Sequence, residues 1–282
     1  MSEQKTANAE QSEAWNGATG VKWVRYQDRL DTMLAPFAVA LFSAANLSHS
    51  DKTLDIGCGC GITTLEAAKL VGTQGRAHGI DLSAPMTGRA RERATALGSH
   101  ATFDVADASA RDYSADPFDH LISRFGVMFF DDPVGAFKNL RRALKPTGRL
   151  TFVCWRSMPE NSWLAAPTRA ALPLLPPQPK GDPFAPGPFA FADQNRVTGI
   201  LSDAGFNNVS FTPYDTPVIL GRSVEEALDQ AMQIGPLARL LAEHDDATKK
   251  RVSDVVAAEL AKFLTPQGVS LAGATWIVQA TA

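Results

Sequence analysis

Cysteine is scarce in this chain: three residues in 282, at Cys58, Cys60 and Cys154. An odd, low count without framework spacing excludes a disulfide scaffold and fits a reducing compartment. Cys58-Gly-Cys60 also lacks the C-x-x-C spacing of redox and zinc pairs, so both read as small loop residues. Long apolar runs are missing too. None reaches the ~18 residues of a membrane-spanning helix, and residues 1–10, MSEQKTANAE, have no apolar centre of the kind a signal peptide needs. The expected location is the cytoplasm. Charge of one sign is not in excess: 27 Lys and Arg face 30 Asp and Glu, a net charge of −3 that gives no general attraction to nucleic acid. Arg89, Arg91 and Arg93 cluster, but Glu92 interrupts them as on a solvated helix face. There is no H-E-x-x-H pair and no knot of carboxylates, so no metal is expected.

What the chain does have is a glycine loop. Thr53-Leu-Asp-Ile-Gly-Cys-Gly-Cys-Gly-Ile-Thr63 starts as a short apolar run and breaks into glycines at alternate positions, Gly57, Gly59 and Gly61. Thr63–Val71 follows, with helix formers and an apolar period near 3.6. The pattern is buried strand, tight loop, helix. Glycine there permits positive φ and a close approach of backbone to ligand, and the helix N-terminus offers unpaired N–H groups. A dinucleotide fingerprint would read G-x-G-x-x-G and aim the helix at a pyrophosphate. Here the third glycine comes one position early, and a carboxylate, Asp55, stands two residues before the first. A carboxylate beside the loop suits a cation better than a phosphate, which predicts a positively charged nucleoside as ligand.

Strand and helix then keep alternating. Gly75–Asp81 reads as a strand ending in an acid fit for ribose hydroxyls. Ser83 caps a helix that starts at Pro85, runs through Met86–Leu97 and stops at Gly98. Ala101–Val105 is a third strand. Asp107, just beyond it, either makes an Asx turn or accepts from an exocyclic amine such as that of adenine; its place after Asp55 and Asp81 favours the second reading. Pro117–Ser123 is a fourth strand, with the loop Arg124–Phe130 after it. Pro133 opens a helix to Leu144 that Pro146-Thr-Gly148 ends, and Gly148–Trp155 is a fifth strand. Five alternations predict a parallel, doubly wound α/β sheet with ligands at the strand C-termini.

The segment 53–155 resembles the class I S-adenosylmethionine-dependent methyltransferases. The likeness is carried by the acid-x-G-x-G-x-G of Asp55–Gly61, the ribose acid Asp81, the adenine acid Asp107, the FD.LIS strand from Phe118 and the L.P.GRL strand from Leu144, in the expected order. It is nearest to the small-molecule branch typified by the ubiquinone-biosynthesis methyltransferases and their secondary-metabolism relatives. The resemblance implies a Rossmann-like sheet in the order 3-2-1-4-5-7-6, with the last strand antiparallel between strands five and six. It also implies S-adenosyl-L-methionine as cofactor and S-adenosyl-L-homocysteine as product. The methyl would pass in line to an O, N or C nucleophile of a small, apolar or aromatic metabolite. The cofactor site expected on these grounds comprises Trp23, Asp55, Gly57, Cys58, Gly59, Asp81, Leu82, Met86, Asp107, Ala108, Ser123 and Arg124.

Around this core, residues 1–12 are polar and expected to fray. The stripe Trp15, Trp23, Tyr26, Leu30, Met33, Leu34 and Phe37 recurs at helical spacing, either as core packing or as a lid over the cofactor. Nine of the eighteen prolines fall between Pro159 and Pro188, which predicts an irregular loop over 156–192, read as a substrate loop rather than a linker. Asp193 caps a helix over 194–204 ended by Gly205, and Val209–Tyr214 is a strand. Ser223–Glu226 is a capping box that opens a helical stretch to about Leu264, interrupted at Gly235-Pro236; Gly273–Gln279 is the last strand. The expected division is an N-terminal helical lid over 1–47, the cofactor-binding core over 48–156 and the Pro-rich substrate loop over 157–192. It continues with core over 193–220, a helical cap insertion over 221–266 and the final strand over 267–282.

No catalytic base stands out. His78 and His120 fall inside strands and His49 and His100 in connections, which leaves His244 in the cap as a weak catalytic candidate; the other, Arg124 at the end of the fourth strand, is suited to hold an acidic substrate or a cofactor carboxylate. The expected partner is a small-molecule substrate, with no nucleic acid and no membrane span. The oligomeric state is open, a homodimer among the options. Two other readings stand beside the first: a protein of this fold that keeps the cofactor but acts as a cyclase or regulator, and a nicotinamide oxidoreductase suggested only by the glycine loop and the acid after the second strand.

Overall fold

In the computed structural model, residues 8–113, 115–177 and 181–282 are described; residues 1–7 of the segment expected to fray lie outside them. The chain opens with three helices, α1 (Ala9–Asn16), α2 (Ala18–Arg25) and α3 (Gln27–Ala45). The predicted alternation follows: β1 (Lys52–Ile56), α4 (Ile62–Val71), β2 (Arg76–Asp81), α5 (Ala84–Ala96), β3 (Thr102–Val105), β4 (Phe118–Arg124), α6 (Pro133–Arg142) and β5 (Leu144–Trp155). Then come α7 (Ser162–Ala171), α8 (Gln194–Asp203), β6 (Asn207–Gly221), α9 (Val224–Gln233), α10 (Pro236–Leu240), α11 (Asp246–Ala261), β7 (Leu264–Thr265) and β8 (Gly268–Thr281). The caps behave as their residue types dictate. Ser83, Asp132, Asp193, Ser223 and Asp245 each accept a backbone N–H three residues on.

The sheet runs β3-β2-β1-β4-β5-β8-β6, which is the expected order 3-2-1-4-5-7-6 once the two-residue β7, paired only to β8, is set aside. β1 pairs in parallel with β2 and β4, β2 with β3, and β4 with β5. β8 is antiparallel to β5: Ala282 N–H donates to Gly148 O and Arg156 N–H to Ala274 O, so one number falls as the other rises.

Four local expectations are corrected. Ala9–Asn16 is helical where fraying was expected. Pro146-Thr-Gly148 does not stop the chain before β5 but lies within that strand. Phe118 faces Leu144 and His120 faces Arg149, so three extra residues bulge out of the ladder and Pro146 needs no partner there. β6 spans 15 residues and includes Pro213 and Pro217; as the edge strand it has a side that asks for no donors. The proline-dense stretch holds a real helix, α7, with Pro167 inside it. Burial of Trp163, Leu164, Ala166, Pro167 and Ala171 outweighs the missing N–H, and Thr168 Oγ1 donates to the carbonyl of Leu164 at 2.7 Å.

The chain divides into two compact units. The first takes Met1–Cys154, Phe184–Tyr214 and Trp276–Ala282; the second takes Trp155–Pro183 and Asp215–Thr275. In the first, Phe137 on α6 is fully buried, and the rings of Phe130, Phe152, Phe191 and Phe206 lie 6.0 to 6.1 Å from its own. Phe137→Ala removes the centre of this cluster and should lower the unfolding free energy by about 3–5 kcal/mol, read from denaturant midpoints at unchanged m-value.

Candidate functional site

The glycine loop turns where β1 ends, and all three of its glycines take positive φ: 68° at Gly57, 55° at Gly59 and 84° at Gly61. A Cβ on Gly57 would stand 2.7 Å from the Cα of Gly126, in the loop after β4. The loop is tied to β2 as well, since the N–H groups of Gly57 and Cys58 both donate to the carbonyl of Ile80, at 2.8 and 3.1 Å. Asp81, at the end of β2, completes the brace: Oδ2 accepts from Gly59 N–H and Oδ1 from Ser83 N–H, each at 2.8 Å. A carboxylate has about four acceptor positions. Asp81 therefore keeps capacity for ligand hydroxyls while it shapes the loop.

Around this loop the first unit forms a pocket that opens to solvent. Ten of the twelve expected cofactor residues line it: Trp23, Gly57, Cys58, Gly59, Asp81, Leu82, Met86, Asp107, Ala108 and Arg124. Asp55 and Ser123 do not. Asp55 is buried behind the loop, its Oδ2 accepting from the Thr63 and Thr64 hydroxyls at 2.5 and 2.7 Å, so that it fixes the end of β1 to the first turn of α4. Burial pushes its carboxyl up to about 6, against the lowering effect of the two hydroxyls and of Arg124. Ser123 is buried as well; its Oγ donates to the Ile56 carbonyl and accepts from Gly126 N–H, holding the ends of β1 and β4 together.

Asp107 lines the cavity with Oδ1 already engaged by the protein. Oδ1 takes Ser109 N–H at 2.8 Å and Ser109 Oγ at 2.7 Å, which is the Asx turn; Asn8 Nδ2 donates to both oxygens, at 3.1 and 2.9 Å. A nucleobase amine there would share with or replace the Asn8 amide. Arg124 is the one cation among the lining residues, and its Nη1 is buried without a hydrogen bond. Desolvation lowers its pKa, and Asp31 and Asp55 are the acids that most offset this. The acids Asp31, Asp81 and Asp107 line the same space, so carboxylates outnumber cations.

The N-terminal helices supply an aromatic wall. Trp15 packs edge-on against Trp23 at 5.6 Å and against Phe129 at 5.4 Å, and all three rings line the cavity. Asn16 and Trp15 fasten this wall to the start of α5: Asn16 Nδ2 donates to Leu82 O, Asn16 Oδ1 accepts from Ala84 N–H, and Ser83 Oγ donates to the Trp15 carbonyl. Cys58 and Cys60 are free and buried; burial pushes the Cys58 thiol well above its ordinary range and that of Cys60 up to about 12, so both stay protonated. His244 belongs to the second unit and is not among the lining residues, and burial pushes His120, inside β4, down to about 4.

Comparison with known proteins decides what kind of domain this is. Residues 53–148 match the family described as "Methyltransferase domain". The segment 53–148 is thus a methyltransferase domain. The chain is 35% identical over 127 residues to aklanonic acid methyltransferase of Streptomyces sp. strain C5, covering 44% of this chain and 58% of that protein. Among solved structures it is similar to the YcgJ protein of Bacillus subtilis, with a TM-score of 0.58 and 17% identity over 86% of this chain and 97% of that one. It is similar also to phosphoethanolamine N-methyltransferase 2 of Haemonchus contortus in complex with phosphomonomethylethanolamine and S-adenosylhomocysteine. There the TM-score is 0.59 at 15% identity, over 95% of this chain and 58% of that one. At these identities the structural likeness concerns the fold. The chain spans about half the length of the curated relatives it matches.

The methyltransferase domain places more residues at the cavity than its motifs announce. Asn8, Gln27, Asp31 and Phe125 line it and were not anticipated. Asn8 had no signal, because its partners Asp107 and Asp131 lie 99 and 123 residues away. Gln27 and Asp31 carried a weak one, as polar positions one turn apart on the aromatic helix. Phe125 takes φ 65°, a rare conformation for an aromatic residue, which cannot be read from its neighbours.

The buried acid of the domain yields a pH prediction. A carboxyl held near 6 in the folded chain, against an ordinary 3.8, gives stability that is full below pH 3.8 and is lost as pH rises through 6. Asp55→Asn removes that loss. Relative to the native chain, the variant should gain about 3 kcal/mol between pH 3.8 and pH 8, read from denaturant titrations at both values. Parallel pH dependences in the two proteins would refute this account of Asp55.

Proposed function

We propose that this chain is an enzyme that binds S-adenosyl-L-methionine in the cavity of its first unit and methylates a small, apolar or aromatic metabolite. One observation carries the reading: the positive-φ glycine loop, Asp81 with unused acceptor capacity and an aromatic wall all border a single acid-rich cavity. The residues fit the cofactor. Gly57 and Gly59 leave backbone exposed where side chains would intrude, Asp81 would accept ribose hydroxyls, and Leu82, Met86 and Ala108 would hold the nucleobase. The bound cofactor supplies a methyl group on a positively charged sulfur.

The protein's part is to orient and to exclude water. Trp15, Trp23, Phe129 and Phe130 give the acceptor an apolar face, and holding donor and acceptor in line supplies much of the acceleration. The lining residues include no histidine, lysine or tyrosine, so the reading needs an acceptor that loses its proton without a dedicated base. The relation to the ubiquinone-biosynthesis branch rests on the sequence resemblance alone. Three free, buried thiols support a cytoplasmic setting, and among the described residues no helix is long and apolar enough to cross a membrane.

Isothermal titration with S-adenosylhomocysteine tests the reading. The native chain should bind, and Asp81→Asn should weaken binding roughly tenfold or more, because a hydrogen bond to a charged group is lost. With an accepted substrate, mass spectrometry should show the gain of one methyl. Absence of binding by the native chain would end the proposal.

A further inference from the structure

The second unit holds a pocket of its own, between α7, the end of β6 and the corner where α9 gives way to α10. It shares no lining residue with the cavity of the first unit. No charged residue lines it, and Leu164, Leu220 and Leu237 are buried there. Two polar atoms interrupt these apolar walls. The indole N–H of Trp163 and Oε1 of Gln230 are both buried, and neither has a hydrogen-bond partner among the described residues. Gln230 is only 3% exposed, and the ring of Trp163 is fixed by that of Trp155 at 5.1 Å. Thr168 offers them nothing, because its hydroxyl donates to the Leu164 carbonyl at 2.7 Å. A buried donor and a buried acceptor left unpaired are each costly. One group answers both: a hydroxyl accepts from an N–H and donates to an amide oxygen.

We propose that this pocket binds a small neutral molecule that carries a hydroxyl on an apolar body. The hydroxyl accepts from Trp163 Nε1 and donates to Gln230 Oε1. Between the buried residues there is room for little more than that group, so the body lies at the rim, against the half-buried Ile234 and Pro236. A charged ligand is excluded, since nothing in the lining would offset its desolvation. Gly235 makes the rim possible: it turns at φ 97°, and a Cβ on it would stand 3.1 Å from Leu164 Cδ2, so the corner lies close against α7. The inference does not rest on the methyl-transfer reading.

Phenol and toluene, which differ by a hydroxyl in place of a methyl, are the probes. They are added to the full chain, isotopically labelled at nitrogen, and read by nuclear magnetic resonance of the indole N–H groups. The five tryptophans give one such signal each, and the one lost in Trp163→Phe belongs to Trp163. Phenol should shift that signal saturably, and toluene should bind there roughly tenfold more weakly. Gln230→Leu should weaken phenol by roughly tenfold and leave toluene within about twofold. Gln230→Met takes its place if the leucine variant does not fold. Equal binding of phenol and toluene overturns the proposal, as do shifts confined to the other tryptophans. Phenol affinity unchanged in Gln230→Leu overturns it too, and leaves the two buried groups to a resident water. Each of these results leaves the proposed function standing.

Discussion

The site depends on how closely two strand ends approach. At Gly57 and Gly126 the chain leaves β1 and β4 with no room for a side chain on either: a Cβ on Gly57 would meet Gly126 Cα at 2.7 Å, and one on Gly126 would meet Gly57 Cα at 2.8 Å and Ile56 O at 2.5 Å. Parallel pairing of Thr53–Asp55 with His120–Ile122 brings these ends together, and Ser123 Oγ bridges the remaining gap from Ile56 O to Gly126 N–H. Everything that lines the cavity on this side hangs from that junction. The loop can then expose its own backbone, Arg124 enters beside it, and Phe125 is forced to positive φ while its N–H is held by Val153 O at 3.0 Å.

The electrostatics follow from the same geometry. Asp55 sits one step behind the loop and is desolvated, so it acts through two threonine hydroxyls and through the field it shares with Arg124. Asp81 sits one strand over and anchors the loop through backbone N–H groups. Two carboxylates two residues or fewer from the ends of neighbouring strands thus do different work, because one faces helix hydroxyls and the other faces the cavity. Their spacing in the chain says nothing of this difference. Burial and partner type decide it.

Much of the fold was legible because its signals are local. The apolar run before Gly57, the Ser83 and Asp193 caps and the alternation of strand with helix each need only a few neighbouring residues to be read, and the sheet order followed from the family resemblance. What escaped was set at long range. Pro146 and Pro167 looked like breakers until a bulge and a buried helix face accommodated them. The stripe of α3 was read for its apolar residues, and the polar pair Gln27 and Asp31 gained meaning only once α3 lay against the cavity. Arg124 was anticipated as a cofactor residue. Its solitary charge was not, since that depends on which side chains fail to reach it.

Asp107 and Asn8 show why the N-terminal helices belong to the site rather than beside it. Asn8 is buried, takes a left-handed conformation with φ 59°, and exchanges two hydrogen bonds with Asp131 while its amide caps both oxygens of Asp107. With Ser109 supplying two further donors, Oδ1 is fully engaged by the protein, while Oδ2 accepts from Asn8 alone. The turn thus uses Oδ1, and a ligand amine would meet Asp107 at Oδ2, beside the Asn8 amide. An amine that displaced the Asn8 amide would break a contact that fixes the N-cap residue of α1. Asn8, the residue before α1, is thereby tied to Asp107 and to Asp131 at once.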